Sequence, residues 1–184
     1  MLSKGSERLA ADHVALGRLL KELKTALSND DVAVSYAKVD LFWAKLAVHI
    51  RAEHLHLFPD VLRGVTRADD DKVFVVAMLP ETQSAIERLR SDHDFFMKQL
   101  AGAVDVARSL VNVSERAAIG KGLNAIKEIV FQIEQRLEDH NNVEEGHIYR
   151  LAGIVLSRAE QVELAQRVTS ELEKRPTRFA ANVW

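Results

Sequence analysis

The chain has 184 residues, 47% of them apolar and 28% charged, with 25 Lys and Arg set against 27 Asp and Glu for a net charge of −2. That length can bury a sizeable core in one domain, and the balanced charge gives no electrostatic case for a nucleic-acid partner or an anionic membrane. With no Cys there is no disulfide, thiolate metal site or cysteine nucleophile, and with no apolar run of about eighteen residues and no secretory leader a cytoplasmic address is expected.

Three Pro and eight Gly are spread over a chain dominated by helix formers, so the composition is all-α. A first helix is expected from about Ser6 to Ser28, with Leu9, His13, Leu16, Leu20, Leu23 and Leu27 at helical spacing; "SNDD" breaks it. A second runs from about Val34 to Leu57, with Leu41, Phe42, Leu46, His49, Glu53 and His56 along one side. Pro59 should end or kink it, since Pro lacks the N–H and clashes with the preceding turn. Residues 64–79 contain the apolar run "KVFVVAML", read as a short buried segment over one end of the molecule, with a partner-binding patch as the other reading. Pro80 then leads a third helix, from about Glu81 to Leu110. A fourth opens at Ser114 and extends to about Leu156. Ser157 and Glu160 form a capping box for a fifth, to about Lys174. "RPTRFAANVW" reads as a loose tail whose Phe179 and Trp184 could dock on the body.

The chain repeats itself. "RLAADHVALGRLL" (8–20) matches "RLRSDHDFFMKQL" (88–100), and "HIRAEHLHLF" (49–58) matches "HNNVEEGHIY" (140–149) as H-x-x-x-E-x-x-H. Two helix pairs, each with one His on its first helix and that motif on its second, predict an up-down-up-down four-helix bundle with a pseudo-two-fold axis. The bundle is assigned to residues 1–157, and the fifth helix and tail to 158–184.

A helix advances 100° per residue, so with His49 as origin Glu53 lies near +40° and His56 near −20°, while His54 lies near 140°. The same holds for His140, Glu144 and His147, with Glu145 off the stripe. Both stripes are flanked by apolar residues and face the core. Six of the seven His and two Glu thus converge inside the bundle. Burying so many ionisable groups uncompensated would be very costly, and a cation is the natural compensation. Imidazole and carboxylate without sulfur suit iron, manganese or zinc. Two Glu from facing helices can each bridge two metals. His13, His49, Glu53, His93, His140 and Glu144 are the expected ligands. His56 and His147, a turn further along, are read as further ligands or as hydrogen-bond donors to a bridging Glu. Asp12 and Asp92 point about 100° away from the neighbouring His and are read as solvated or as inter-helix partners. His54 is read as a surface residue.

This arrangement resembles the hemerythrin-like, or HHE cation-binding, family. The family pattern H…H-x-x-x-E…H…H-x-x-x-E is met by His13, by His49 with Glu53, by His93, and by His140 with Glu144. The E-x-x-x-L-F-P that often follows is present as Glu53, Leu57, Phe58 and Pro59. The resemblance covers about residues 6–156. It implies two iron ions in an oxo- or hydroxo-bridged di-iron centre, bridged also by Glu53 and Glu144. Oxygen-carrying hemerythrins use five His, a Glu and an Asp, with two His four apart on the third helix. Here that helix offers His93 alone, and the four-His, two-Glu set is closer to the iron-cluster repair members.

Ferritin-like oxidases use about four carboxylates and two His. A site with two carboxylates and four to six imidazoles should favour the diferrous and diferric states over strongly oxidising ones. The expected function is therefore to bind, sense or reduce O2, NO or peroxide, with a redox partner where electrons are needed. The alternative is storage and donation of iron for iron–sulfur cluster repair.

Overall fold

Every regular element among the described residues of the computed structural model, 2–67, 78–174 and 176, is a helix. Helix α1 spans Lys4–Ser28. Its N-cap Ser3 accepts the Ser6 N–H, satisfying one of the donors a helix start leaves unpaired, and Glu7 in the first turn complements the helix dipole. The chain reverses through Asp30, the one non-glycine residue with positive φ (55°) among those described. Asp31 caps α2, Val32–Ala52, by accepting the Val34 N–H at 3.0 Å.

The second expected helix does not stop at Pro59. A π-helical turn, Glu53–Leu57, follows α2 directly and is closed by the Phe58 N–H donating to the Glu53 carbonyl. Helix α3, Phe58–Thr66, continues from it. Pro59 falls in the first turn of α3, where its ring and missing N–H are tolerated, so it begins a helix here. Helix α4 spans Leu79–Leu110, with Pro80 in its first turn. The fourth expected helix is likewise divided into α5, Arg116–Val143, a π-helical turn, Glu144–Ile148, and α6, Tyr149–Val155. Ser157 and Glu160 form the capping box of α7, Arg158–Leu172. Of the apolar connection, residues 64–67 complete α3 and its end, and Leu79 opens α4. "KVFVVA" and the tail's Phe179 and Trp184 lie outside the described residues.

Helix α1 packs on α2, α4 on α5, α2 on α4, and α7 on both α1 and α2. The buried apolar residues form two clusters. One holds Leu9, Leu57, Phe58, Leu89, Ile148, Tyr149 and Leu164. The other holds Leu16, Leu23, Phe42, Phe96, Leu100, Ile126 and Ile133. His13 lies between Leu9 and Leu16 in sequence, and His93 between Leu89 and Phe96. The ionisable layer therefore sits where the two apolar clusters meet. No helix among the described residues is long and apolar enough to cross a membrane.

Candidate metal centre

The six repeated residues come together. His13 projects from mid-α1, His49 from the end of α2, His93 from mid-α4 and His140 from the end of α5, while Glu53 and Glu144 each open a π-helical turn. All six are buried, and both Glu are 0% exposed. The four imidazoles form two pairs. His13 Nε2 lies 3.0 Å from His49 Nε2, and His93 Nε2 lies 3.0 Å from His140 Nε2.

Each carboxylate reaches both pairs. Glu53 sets Oε1 3.5 Å from His49 Nε2 and Oε2 3.4 Å from His93 Nε2. Glu144 sets Oε2 3.2 Å from His13 Nε2, and Oε1 3.1 Å from His140 Nε2 and 3.6 Å from His93 Nε2. Donor atoms of His13, His49, Glu53 and Glu144 lie within 4.8 Å of one another, as do those of His93, His140 and Glu144.

The outward nitrogens have their own partners. Asp12 Oδ2 is 3.0 Å from His49 Nδ1, and Asp92 Oδ2 is 3.2 Å from His140 Nδ1. These are the inter-helix roles expected of the two Asp, and Arg136 holds Asp92 from outside. Glu145 Oε1 is 2.8 Å from His13 Nδ1, and His54 Nε2 is 2.9 Å from His93 Nδ1. A carboxylate facing Nδ1 requires a proton there. With that proton on Nδ1, His13, His49 and His140 turn Nε2 inward, as a bare lone pair wherever the ring carries no second proton.

The interior is thus crowded with acceptors. Glu53 Oε2 and both Glu144 oxygens are buried without a hydrogen bond. Buried acceptors without donors are costly, and a cation is a partner this set could hold. The donor set fits a metal on that ground: imidazole nitrogens and carboxylate oxygens, each imidazole oriented by a second group. Without a cation the site draws in protons. Burial alone would lower the His49 pKa, but the Glu53 charge, hydrogen bonds with Asp12 and Glu53, and the Glu144 charge outweigh it and raise it to about 10. His140 is raised in the same way, against burial, chiefly by Glu144. Burial would raise the Glu144 pKa, yet the close imidazoles of His13, His140 and His93 hold it well below the ordinary carboxylate range.

The other two expected His lie elsewhere. His56 Nε2 is 3.7 Å from Glu171 Oε2 on α7, and His147 Nε2 is 3.4 Å from Thr82 Oγ1 on α4. The π-helical turns are the reason. A π turn accommodates one extra residue, so the inward place that α-helical spacing assigns to position 56 passes to position 57. Leu57 and Ile148, both 0% exposed, fill the two places. His54, read from spacing as a surface residue, is half-buried behind His93.

Tyr149 carries no signal of its own in the H-x-x-x-E pattern, yet its hydroxyl donates to Glu53 Oε1 at 2.7 Å and lies 3.2 Å from His13 Nε2. Burial, with the charges of Glu53 and Glu144, raises its pKa well above 10. Its ring stacks on His13 at 5.7 Å, as the ring of Phe58 stacks on His93 at 6.1 Å. Aligning the two sequence repeats pairs Tyr149 with Phe58 and Glu145 with His54, which is the signal that could have found them. Comparison with protein-family models, curated proteins and solved structures finds no match to this chain.

Proposed function

We propose that this chain is a non-haem di-iron protein of the hemerythrin-like kind, its four long helical rods in up-down-up-down order, which binds, senses or reduces O2, NO or peroxide. The observation that carries the reading is the placement of Glu53 and Glu144, each with one oxygen toward each imidazole pair and with acceptor atoms otherwise unsatisfied. Two cations held between the pairs would satisfy these atoms. His13 and His49 would hold one, His93 and His140 the other, and the two Glu would span them. Iron in such a site supplies one-electron redox chemistry and exchangeable positions for a small ligand.

The chain's own residues do the rest. Asp12, Asp92 and Glu145 fix the tautomers and aim Nε2 inward. The two apolar clusters exclude water from above and below. With His56 and His147 engaged elsewhere, four imidazoles and two carboxylates leave room for an added ligand. The test is to load metal-free protein with ferrous iron without oxygen, count metals, and record spectra before and after O2, NO or peroxide. Two irons per chain and a ligand-dependent visible spectrum are expected. A colourless protein holding zinc, or one iron or none with ample iron present, would overturn the reading.

A further inference from the structure

The two halves of the cage match in their imidazoles and carboxylates and differ in what stands behind them. Tyr149 and Phe58 place the same ring against His13 and His93, both at 0% exposure. A phenylalanine suffices for that packing, as Phe58 demonstrates. A buried hydroxyl is a cost unless it is used. The Tyr149 oxygen is 2.7 Å from Glu53 Oε1 and 3.2 Å from His13 Nε2, two of the atoms that face the proposed metal. Neighbouring ligand atoms of a six-coordinate ion with bonds of about 2.1 Å lie about 3 Å apart, so the oxygen sits where a further ligand would. The ring is enclosed and stacked, so the hydroxyl cannot swing away. The charges run the same way. Glu145 stands behind His13 and His54 behind His93, which makes the Tyr149 half the more anionic.

Resting on the metal-pair reading, we propose that the Tyr149 oxygen is part of the ligand cage on the His13–His49 side and closes that side to small anions, which are admitted only on the His93–His140 side behind Phe58. Tyr149 thereby makes a pseudo-symmetric pair of positions into one closed and one open, and sets the number of small ligands the protein takes.

Azide, a small anion with a visible charge-transfer band on ferric iron, tests this in the iron-loaded, oxidised full chain. Wild type, Tyr149→Phe and Phe58→Tyr are compared by metal count, azide stoichiometry in calorimetry, and absorption and resonance Raman spectra. Expected are two irons in each, with one azide per pair in wild type, two in Tyr149→Phe and none in Phe58→Tyr. Coordination of the Tyr149 oxygen would displace its hydroxyl proton, released to solvent, so a phenolate-to-iron band should also be present in wild type and absent from Tyr149→Phe. Two azides in wild type, or an unchanged single azide in Tyr149→Phe, would overturn the inference while leaving the metal pair standing. Fewer than two irons in wild type would instead remove the metal pair itself. Should Tyr149→Phe fail to fold by circular dichroism, Phe58→Tyr still decides: retention of one azide contradicts the proposal.

Discussion

Glu53 and Glu144 are each shared between the imidazole pairs, so in the proposed metal pair neither would belong to one ion alone. Changing either to Ala should release both ions together, read by elemental analysis; a variant that keeps one ion would show that the carboxylate does not span. The partners behind the imidazoles act more gently. Asp12→Asn or Asp92→Asn should weaken metal affinity about 10- to 100-fold in a competition titration against a chelator. The raised His49 pKa gives the metal-free protein a definite pH response. Its folded value of about 10 exceeds the ordinary 6.5, so the stability it contributes is complete below 6.5 and is lost as pH rises toward 10. Glu144, depressed below its ordinary 4.5, contributes stability above 4.5 that is lost as pH falls. Metal-free protein should therefore melt highest between about pH 4.5 and 6.5, and a melting temperature that rises through pH 9 would contradict this. The six central residues were legible in the sequence because each is written twice at helical spacing. Tyr149, Glu145 and His54 were not, because an aromatic or charged residue one turn from a motif is ordinary until the fold shows what it touches.

The helices themselves were legible because apolar residues recur with helical period and Ser157 and Glu160 spell a capping box. The two π-helical turns were not, since a spacing rule of 3.6 residues has no place for an inserted residue. They explain why α2 and α5 keep their faces toward the core while His56 and His147 leave it. Removal of the Ser157 hydroxyl in Ser157→Ala should cost about 1 kcal/mol, measured by urea unfolding, because the Glu160 N–H loses its acceptor at the start of α7. Gly64 in α3 faces Val155 of α6. A Cβ there would meet Val155 Cγ2 at 2.6 Å and the Val155 carbonyl oxygen at 3.2 Å. Alanine ordinarily favours a helix by up to about 1 kcal/mol over glycine. Here the clash is with the short, branched Val155 side chain, backed by its own carbonyl oxygen, so relief requires α3 and α6 to part slightly and Gly64→Ala should destabilise by about 1–3 kcal/mol. A more stable variant would mean that α3 and α6 are less closely packed.

A cluster of ionisable groups between two apolar regions makes the stability of the whole chain depend on what fills it. Ligand that binds only the folded form adds about 4 kcal/mol at a thousandfold excess over its dissociation constant. Metal-free protein should melt at a lower temperature in calorimetry, and equal melting temperatures would speak against a metal at this position. The layered core has a consequence for how the protein comes apart. Leu9 and Leu89 belong to one apolar cluster, Leu16 and Phe96 to the other, and the His13–His93 layer is the seam between them. Unsatisfied acceptors weaken that seam when it is empty, whereas cations gripped from four helices would rivet it. Native-state amide exchange should then find two separately opening units in the metal-free chain, and one cooperative unit once the seam is filled.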